Sequence, residues 1–485
     1  MRVIASTWIT RTKRGEHDRV YYRKTDIRGI GRRRVEADFS GGQVSSDGGV
    51  LLVREADRRI GLSERMAECF VDYRDSKQIE HSVKELIRQR IYALTLGYED
   101  VNDHELLSRD PLLATAIGKK DPQGQNRRSS KDRGVAAASA STLSRIDRTA
   151  ADADSNSRYE KVVCDFDKLR SCFVQTFIRS HQRAPERLIL DVDPTDIPLH
   201  GNQEQRFYHG YYGHYCYLPM YLFCGDYPLS VKLRPSNIDG SLGVVQFLQP
   251  VVEQIREAFP AVHLIIRADS GFCRDELMSW CEHNGIDYML GMAKNARLQK
   301  ALSRQMERAR REYLRTGETA RYFAEFRYQT LSSWTRSRRV VGKAEHMEKG
   351  ANPRFVVTSL PAREYEKRYL YEELYCARGE MENRIKEQLD LFADRASCHF
   401  FRGNEMRLWW SMAAHLLVVV IRREALSGTQ LQKAQAPTLR TRLLKIGAVV
   451  SVSVRRVYVR LSSAFPLQHL FALSLQRLRL PQPAT

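Results

Sequence analysis

Residues Arg187–Asp196 read RLILDVDPTD, and this stretch decides the fold. Leu188, Ile189, Leu190 and Val192 make an apolar run too short for a core helix, bounded by carboxylates and by Pro194, which ends further pairing. The pattern predicts a buried strand over Arg187–Asp193 whose far end carries acid. Side chains two apart share a strand face, so Asp191 and Asp193 point the same way. Turn or capping chemistry alone would also account for Asp193 and Asp196.

Working outward, VHLIIRA (Val262–Ala268) repeats the pattern, a buried strand that runs out at Asp269 into Ser270-Gly271 and a helix over Arg274–Asn284. Taken alone, Asp269 is equally a helix N-cap. Between the two lie Tyr211–Cys224 and Pro228–Leu233, two strands about Gly225-Asp226, and a helix over Leu242–Ala258; Tyr288–Ala293 is a further strand. Strand, hairpin, helix, strand, helix, strand predicts a mixed α/β sheet flanked by helices. Residues 36–180, before it, show helical spacing of apolar positions, as in Val83, Ile87, Ile91 and Leu94.

Beyond it, Arg321–Thr330, Arg338–His346 and Arg354–Leu360 are strand-like, and Glu364–Leu389 and Asn404–Leu426 read as long helices. On the first helix Leu370, Leu374, Ala377, Met381, Ile385 and Leu389 form an apolar stripe. Tyr371, Tyr375, Arg378, Glu382 and Lys386 form a polar stripe about 100° away. If the apolar stripe packs on the sheet, the polar stripe reaches the sheet's rim, and Glu382 joins Asp193 and Asp269. An exposed i,i+4 ladder of Arg378, Glu382 and Lys386 is the alternative. Three convergent carboxylates suit Mg²⁺, which takes hard oxygen ligands and keeps several waters. Two such ions steady the attacking and leaving oxygens when a phosphodiester is cut.

Charge points to a polyanionic partner. The chain of 485 residues carries a formal +20, and 42% of it is hydrophobic, enough for a sizeable core. Residues 1–35 hold eleven Lys/Arg against three acids; 425–485 hold nine and no acid. Basic ends suit phosphate contacts through Arg32, Arg33, Arg34, Arg455 and Arg456, although a solvated tail explains residues 1–35 as well. Alternation over Val449–Leu461 slips phase at Arg455-Arg456, which predicts a bulge or tight turn in a strand pair. Trp334 in SSWTRSRR offers a ring for an unpaired base; an ordinary hairpin tryptophan fits the same pattern. His209 and His214 lack metal spacing with a third ligand. The nine scattered cysteines show no zinc or disulfide framework, and no apolar run is long enough to span a bilayer.

Tyr375-Cys-Ala-Arg378-Gly-Glu-Met-Glu382 resembles the Tyr-x₂-Arg-x₃-Glu motif of DDE transposases from bacterial insertion sequences, and LDVDPTD and RADSGF resemble that family's two Asp motifs. DFSGGQVSSDGG (Asp38–Gly49), YHGYYGHYCYLPMY (Tyr208–Tyr221) and RPSNIDG (Arg234–Gly240) are similar to one branch, the group-1 DDE domain of the thirteen-eighty insertion-sequence family. The resemblance implies an RNase H-like catalytic core with Asp193, Asp269 and Glu382 as ligands of two Mg²⁺ ions, for which Mn²⁺ substitutes. Tyr375 and Arg378 are implied as catalytic, with Asp191 orienting a ligand or a basic residue such as Arg378. The Thr two positions after the family's first Asp is Thr195 here, which selects Asp193 over Asp191. The family's Lys, seven residues after the Glu, is Leu389 here; Lys386 is the nearest substitute.

The expected organisation is a basic arm (1–35), a mainly helical DNA-binding region (36–180), a catalytic core in two parts (181–296 and 362–426) around a strand-rich insertion domain (297–361), and a basic C-terminal tail (427–485). The expected partners are terminal inverted repeats and target DNA, bound by a homodimer on paired ends, without a membrane, in the bacterial cytoplasm at the nucleoid. A hydrolytic nuclease and a non-catalytic DNA-binding relic are the competing functions.

Overall fold

Arg187–Pro194 forms a strand (β1) as its apolar run requires, and the carboxylate-bearing elements are placed relative to it. The computed structural model describes residues 25–480. Met220–Cys224 (β2) and Tyr227–Lys232 (β3) form the expected hairpin, turning at Gly225 with φ +57°. His263–Ala268 (β4) and Asp287–Met292 (β5) follow, then Ala320–Tyr328 (β6), Arg338–Met347 (β7) and Arg354–Thr358 (β8). The sheet runs β3-β2-β1-β4-β5-β8-β7-β6. β4 is parallel to β1 and to β5; the other neighbours along the path are antiparallel.

Around the sheet lie the helices Val50–Ile60 (α1), Val83–Leu96 (α2), Val244–Ala258 (α3), Asp275–His283 (α4), Ala296–Thr316 (α5), Gly379–Asp390 (α6), Phe401–Val420 (α7) and Gln468–Arg479 (α8). Alternation along the strands separates two cores. Leu188, Leu190, Val192, Leu264, Ile266 and Leu290 join the main core, while Ile189, Ile265, Met289, Val341 and Val356 face a smaller one with Leu370, Tyr371 and Leu374. α7 is apolar around nearly its whole circumference and correspondingly buried, with Trp409 and Trp410 inside. It packs on β3 on one side and on α1 and α2 on the other, joining the helical N-terminal region to the sheet.

Three expectations are corrected. The segment 297–361 opens with the 21-residue helix α5, and its strands extend the central sheet. The reason is β5: its outer edge has unpaired backbone groups, and β8 satisfies them antiparallel, Leu290 opposite Val357. The helix expected over Glu364–Leu389 is irregular, with a π-helical stretch at Leu370–Tyr375 and a 3₁₀ turn at Cys376–Arg378 before α6. Tyr371, placed on the polar stripe, is buried in the smaller core.

The third correction concerns the basic tail, which is folded into the body. Ala448–Val452 pairs with Val457–Leu461 about a tight turn at Arg455-Arg456, and also with Val44–Ser45; α8 packs on α1. DFSGGQVSSDGG, read as turns, holds this segment down. Gly48 N–H donates to the Ile446 carbonyl and Gly49 N–H to that of Leu444, and Asp47 takes Lys445 at 2.6 Å and the Tyr98 hydroxyl at 2.6 Å. A Cβ on Gly49 would stand 2.2 Å from Leu444 Cα, so only glycine permits the approach.

Gly49→Ala should therefore lower unfolding free energy by about 1–3 kcal/mol, the usual cost of overpacking. Gly41→Ala, with nothing within 4 Å of its Cβ, should change it by less than about 0.5 kcal/mol. Urea denaturation of the two variants checks this; equal midpoints would refute the clasp.

Candidate active site at the ends of two parallel strands

The two aspartates meet because of register. β4 pairs with β1 with Arg267 opposite Asp191 and Ala268 opposite Val192, so Asp269, one residue on, comes level with Asp193 on the neighbouring strand. Strands lie about 4.8 Å apart, and the shared phase puts Asp191, Asp193, Arg267 and Asp269 on one face. Asp269 also caps the turn that follows, accepting from Gly271 N–H at 2.8 Å.

Arg267 organises the ground beneath this pair. Its Nε and Nη2 bind the two Asp191 oxygens at 2.6 and 2.8 Å, and its Nη1 donates to the Leu374 carbonyl, inside the π-helical stretch. Asp191, expected to orient a ligand or a basic residue such as Arg378, thus pairs with Arg267. Tyr375, at the end of the π-helical stretch, seats its hydroxyl over Gly291 on β5, where a Cβ would lie 2.5 Å from it and 2.9 Å from Ser270 N; the 3₁₀ turn Cys376–Arg378 follows and carries Arg378.

Arg378 sits between the first carboxylate and the third. It donates to Asp193 Oδ2 at 3.0 Å and to Glu382 Oε1 at 3.0 Å. Burial pushes the Asp193 carboxyl up to about 7; Arg378 opposes this, and Asp269, Glu382 and Asp191 add to it. The Arg378 guanidinium is held above its usual range: burial works against its charge, and Asp193, Tyr375, Asp269 and Glu382 outweigh it. Glu382 is half exposed. Among the described residues no three carboxylate, histidine or cysteine side chains stand close enough to hold an ion as placed. The donors are hard oxygens whose mutual repulsion Arg378 relieves, a set that fits a divalent cation once Arg378 gives up one of its two bonds.

The remaining candidates lie elsewhere. Lys386 is exposed one turn beyond Glu382, and Leu389 packs against the main core, so that position offers no cation. Trp334 is buried, edge-on to Tyr328 and under Arg338, and cannot stack a base without unpacking. Arg455 and Arg456 are exposed at their turn, and Arg32, Arg33 and Arg34 on a hairpin of Thr25–Ile30 with Arg33–Ala37. The rest of the basic arm, residues 1–24, lies outside the described residues. His214 bonds Asp196 at 2.9 Å, and His209 packs on Tyr212. Two residues were missed. Arg267 precedes Asp269 by two, as Asp191 precedes Asp193, and a lone charge in an apolar strand was its signal. Gly291 interrupts the strand YMLGM, a mark of close approach.

The family described as transposase DDE domain, group 1, matches residues 27–483. No curated protein matches the chain. Among solved structures, the cryo-EM structure of the piggyBac transposase synaptic complex with hairpin DNA is similar over 90% of this chain and 83% of that one, at 11% identity and a TM-score of 0.38, too slight a likeness to transfer anything. No helix among the described residues is long and apolar enough to cross a membrane.

With its carboxyl held near 7, Asp193 binds a proton more tightly in the folded chain than in the unfolded one, where about 4 is usual. Stability contributed by that proton is present below about pH 4 and is lost as pH rises through about 7. In EDTA, Asp193→Asn should therefore be more stable than the parent at pH 8, on the order of a few kcal/mol, and lose that advantage near pH 4. Thermal unfolding at both pH values checks this; a gap independent of pH would refute the assignment.

Proposed function

Because the chain belongs to the group 1 family of transposase DDE domains, we propose that it binds the terminal inverted repeats of a bacterial insertion sequence, cuts DNA there and transfers the freed 3′-hydroxyls into target DNA. The observation that carries this is the register of β1 and β4, which brings Asp193 level with Asp269, together with the bridge from Asp193 through Arg378 to Glu382. The strand order β3-β2-β1-β4-β5, in which only β2 runs against the other four, supports an RNase H-like core.

Asp193, Asp269 and Glu382 would hold Mg²⁺, two ions at full occupancy, or Mn²⁺. Bound there, the ions would supply charge for the attacking and leaving oxygens of an in-line displacement. The chain's own residues do the rest. Burial keeps Asp193 protonated until near neutral pH, so it must release its proton to serve as a ligand. Arg378, freed from one carboxylate, is placed to pair with a non-bridging oxygen of the scissile phosphate. Tyr375, seated over Gly291, holds the 3₁₀ turn that aims Arg378. Asp191 and Arg267 position that turn from below. Residues 36–180 would contribute repeat recognition, and the exposed cations Arg32, Arg33, Arg34, Arg455 and Arg456 would meet phosphates. Two copies on paired ends would act together in the nucleoid.

Cleavage of a duplex carrying the element's end should require Mg²⁺ or Mn²⁺, fail in Ca²⁺ and stop in EDTA. Asp193→Asn should abolish cutting while end binding persists, and Asp191→Asn should retain activity lowered by about 10- to 100-fold. Full cutting in EDTA would sink the proposal, and a dead Asp191→Asn beside a merely slow Asp193→Asn would exchange the two roles. Hydrolysis without joining of pre-cut ends would identify a nuclease. End binding with no cutting under any metal would identify a relic.

A further inference from the structure

Helix α5 has a sidedness that the carboxylate site does not use. Leu298, Leu302 and Ala309 are buried against the sheet, with Met306 packed beside them. At 100° per residue, Arg297, Lys300, Arg304, Arg308, Arg311 and Arg315 fall within a wedge of about 80° on the outward side. All six are exposed. They span 19 residues, so 18 steps at 1.5 Å rise give a line of cations about 27 Å long.

Little of this charge is answered within the chain. The helix has two acids: Glu307, which pairs with Arg311 at 2.9 Å and Arg310 at 3.5 Å, and Glu312, which accepts from the Tyr322 hydroxyl. Lys300, Arg304 and Arg315 have no ion pair among the described residues. Arg297 and Arg308 lie over the rings of Tyr328 and Tyr322, 5.1 and 4.2 Å from the centroids, which steadies both guanidinium groups along strand β6 at the sheet's edge. An isolated basic amphipathic helix would suit a lipid surface by inserting its apolar face. Here that face is already buried in the core, so the stripe meets its partner with charge alone.

We propose that the outward face of α5 is a binding surface for the sugar–phosphate backbone of duplex DNA, separate from the segment held at the carboxylates. The separation follows from the sheet: Leu302 packs on Gly342 from the main-core face, whereas Asp193 and Asp269 project from the opposite face with Ile189 and Ile265. A line of about 27 Å matches the rise of about eight base pairs at 3.4 Å each. Phosphates carry no sequence information, so binding by charge along this stripe is independent of sequence. The proposal rests on the reading of the chain as a DNA transposase and names where the DNA beyond the cut site lies.

The test uses the full chain and a duplex several helical turns long, of arbitrary sequence, titrated over a range of salt. Replacing Lys300, Arg304 and Arg315 together by Gln should weaken binding and make the slope of log affinity against log salt shallower by about 2 to 3, near 0.9 per lost phosphate contact. All three side chains are exposed, so the thermal transition should stay in place. A control that removes the same charge from scattered exposed positions, Arg183→Gln, Lys349→Gln and Arg363→Gln, should leave the slope unchanged. If both variants flatten the slope equally, the effect is net charge and the stripe is not a site. If the α5 variant binds as the parent does, the stripe serves another partner, such as an acidic protein, and the proposal falls while the transposase reading stands. A parent chain that binds no duplex at any salt removes both.

Discussion

The constraint on which the site depends is the buried pair between Asp191 and Arg267, fixed by the parallel register of β1 and β4. Both residues are almost fully enclosed, and burial holds the Asp191 carboxyl above its usual range even against the guanidinium beside it. Such a pair adds little net stability, because desolvation of two charges roughly cancels their attraction; losing one partner costs about 3–5 kcal/mol. Its worth lies in direction. The third contact of Arg267, to the Leu374 carbonyl, ties the irregular helix to the sheet where its backbone departs from α geometry. The 3₁₀ turn that follows carries Arg378, which reaches both Asp193 and Glu382.

The same economy joins the ends of the chain to its middle. α7 is wrapped on all sides, and a helix that apolar must have neighbours around its whole circumference. Those neighbours come from the N-terminal helices and from the sheet. The Gly48-Gly49 clasp then seats the C-terminal segment on the start of α1 by two backbone hydrogen bonds that only glycine leaves room for. Helix α6, which carries Glu382, is anchored from its far side as well, where Glu387 meets Arg422 at 2.7 Å and Gln388 meets Ser411.

Charge is distributed in a way that total composition conceals. The acidic cluster is answered inside by Arg267 and Arg378, while the cations of α5 face outward with few partners. The carboxylates at the strand ends are thus neutralised from within, while the outer surface keeps its positive charge.

Much was legible in the sequence because the signals were local. Apolar runs ending in Asp193 and Asp269 named the strands and their carboxylates; the alternation slip at Arg455-Arg456 named a turn; Gly225-Asp226 named the hairpin. These follow from side-chain period and backbone sterics, which each segment carries within itself. What only the tertiary structure decided depends on pairing across long separations. That the strands of 297–361 extend the main sheet follows from β5's need for an edge partner. The choice of Arg267 over Arg378 as partner of Asp191 follows from a register between residues 76 positions apart. The burial of Trp334, the packing of Leu389 against the core, and the folding of the tail onto Gly48 and Gly49 were set by which surfaces met in the folded chain. Periodicity tells a residue which face of its own element it occupies, but what covers that face is decided only when the elements pack.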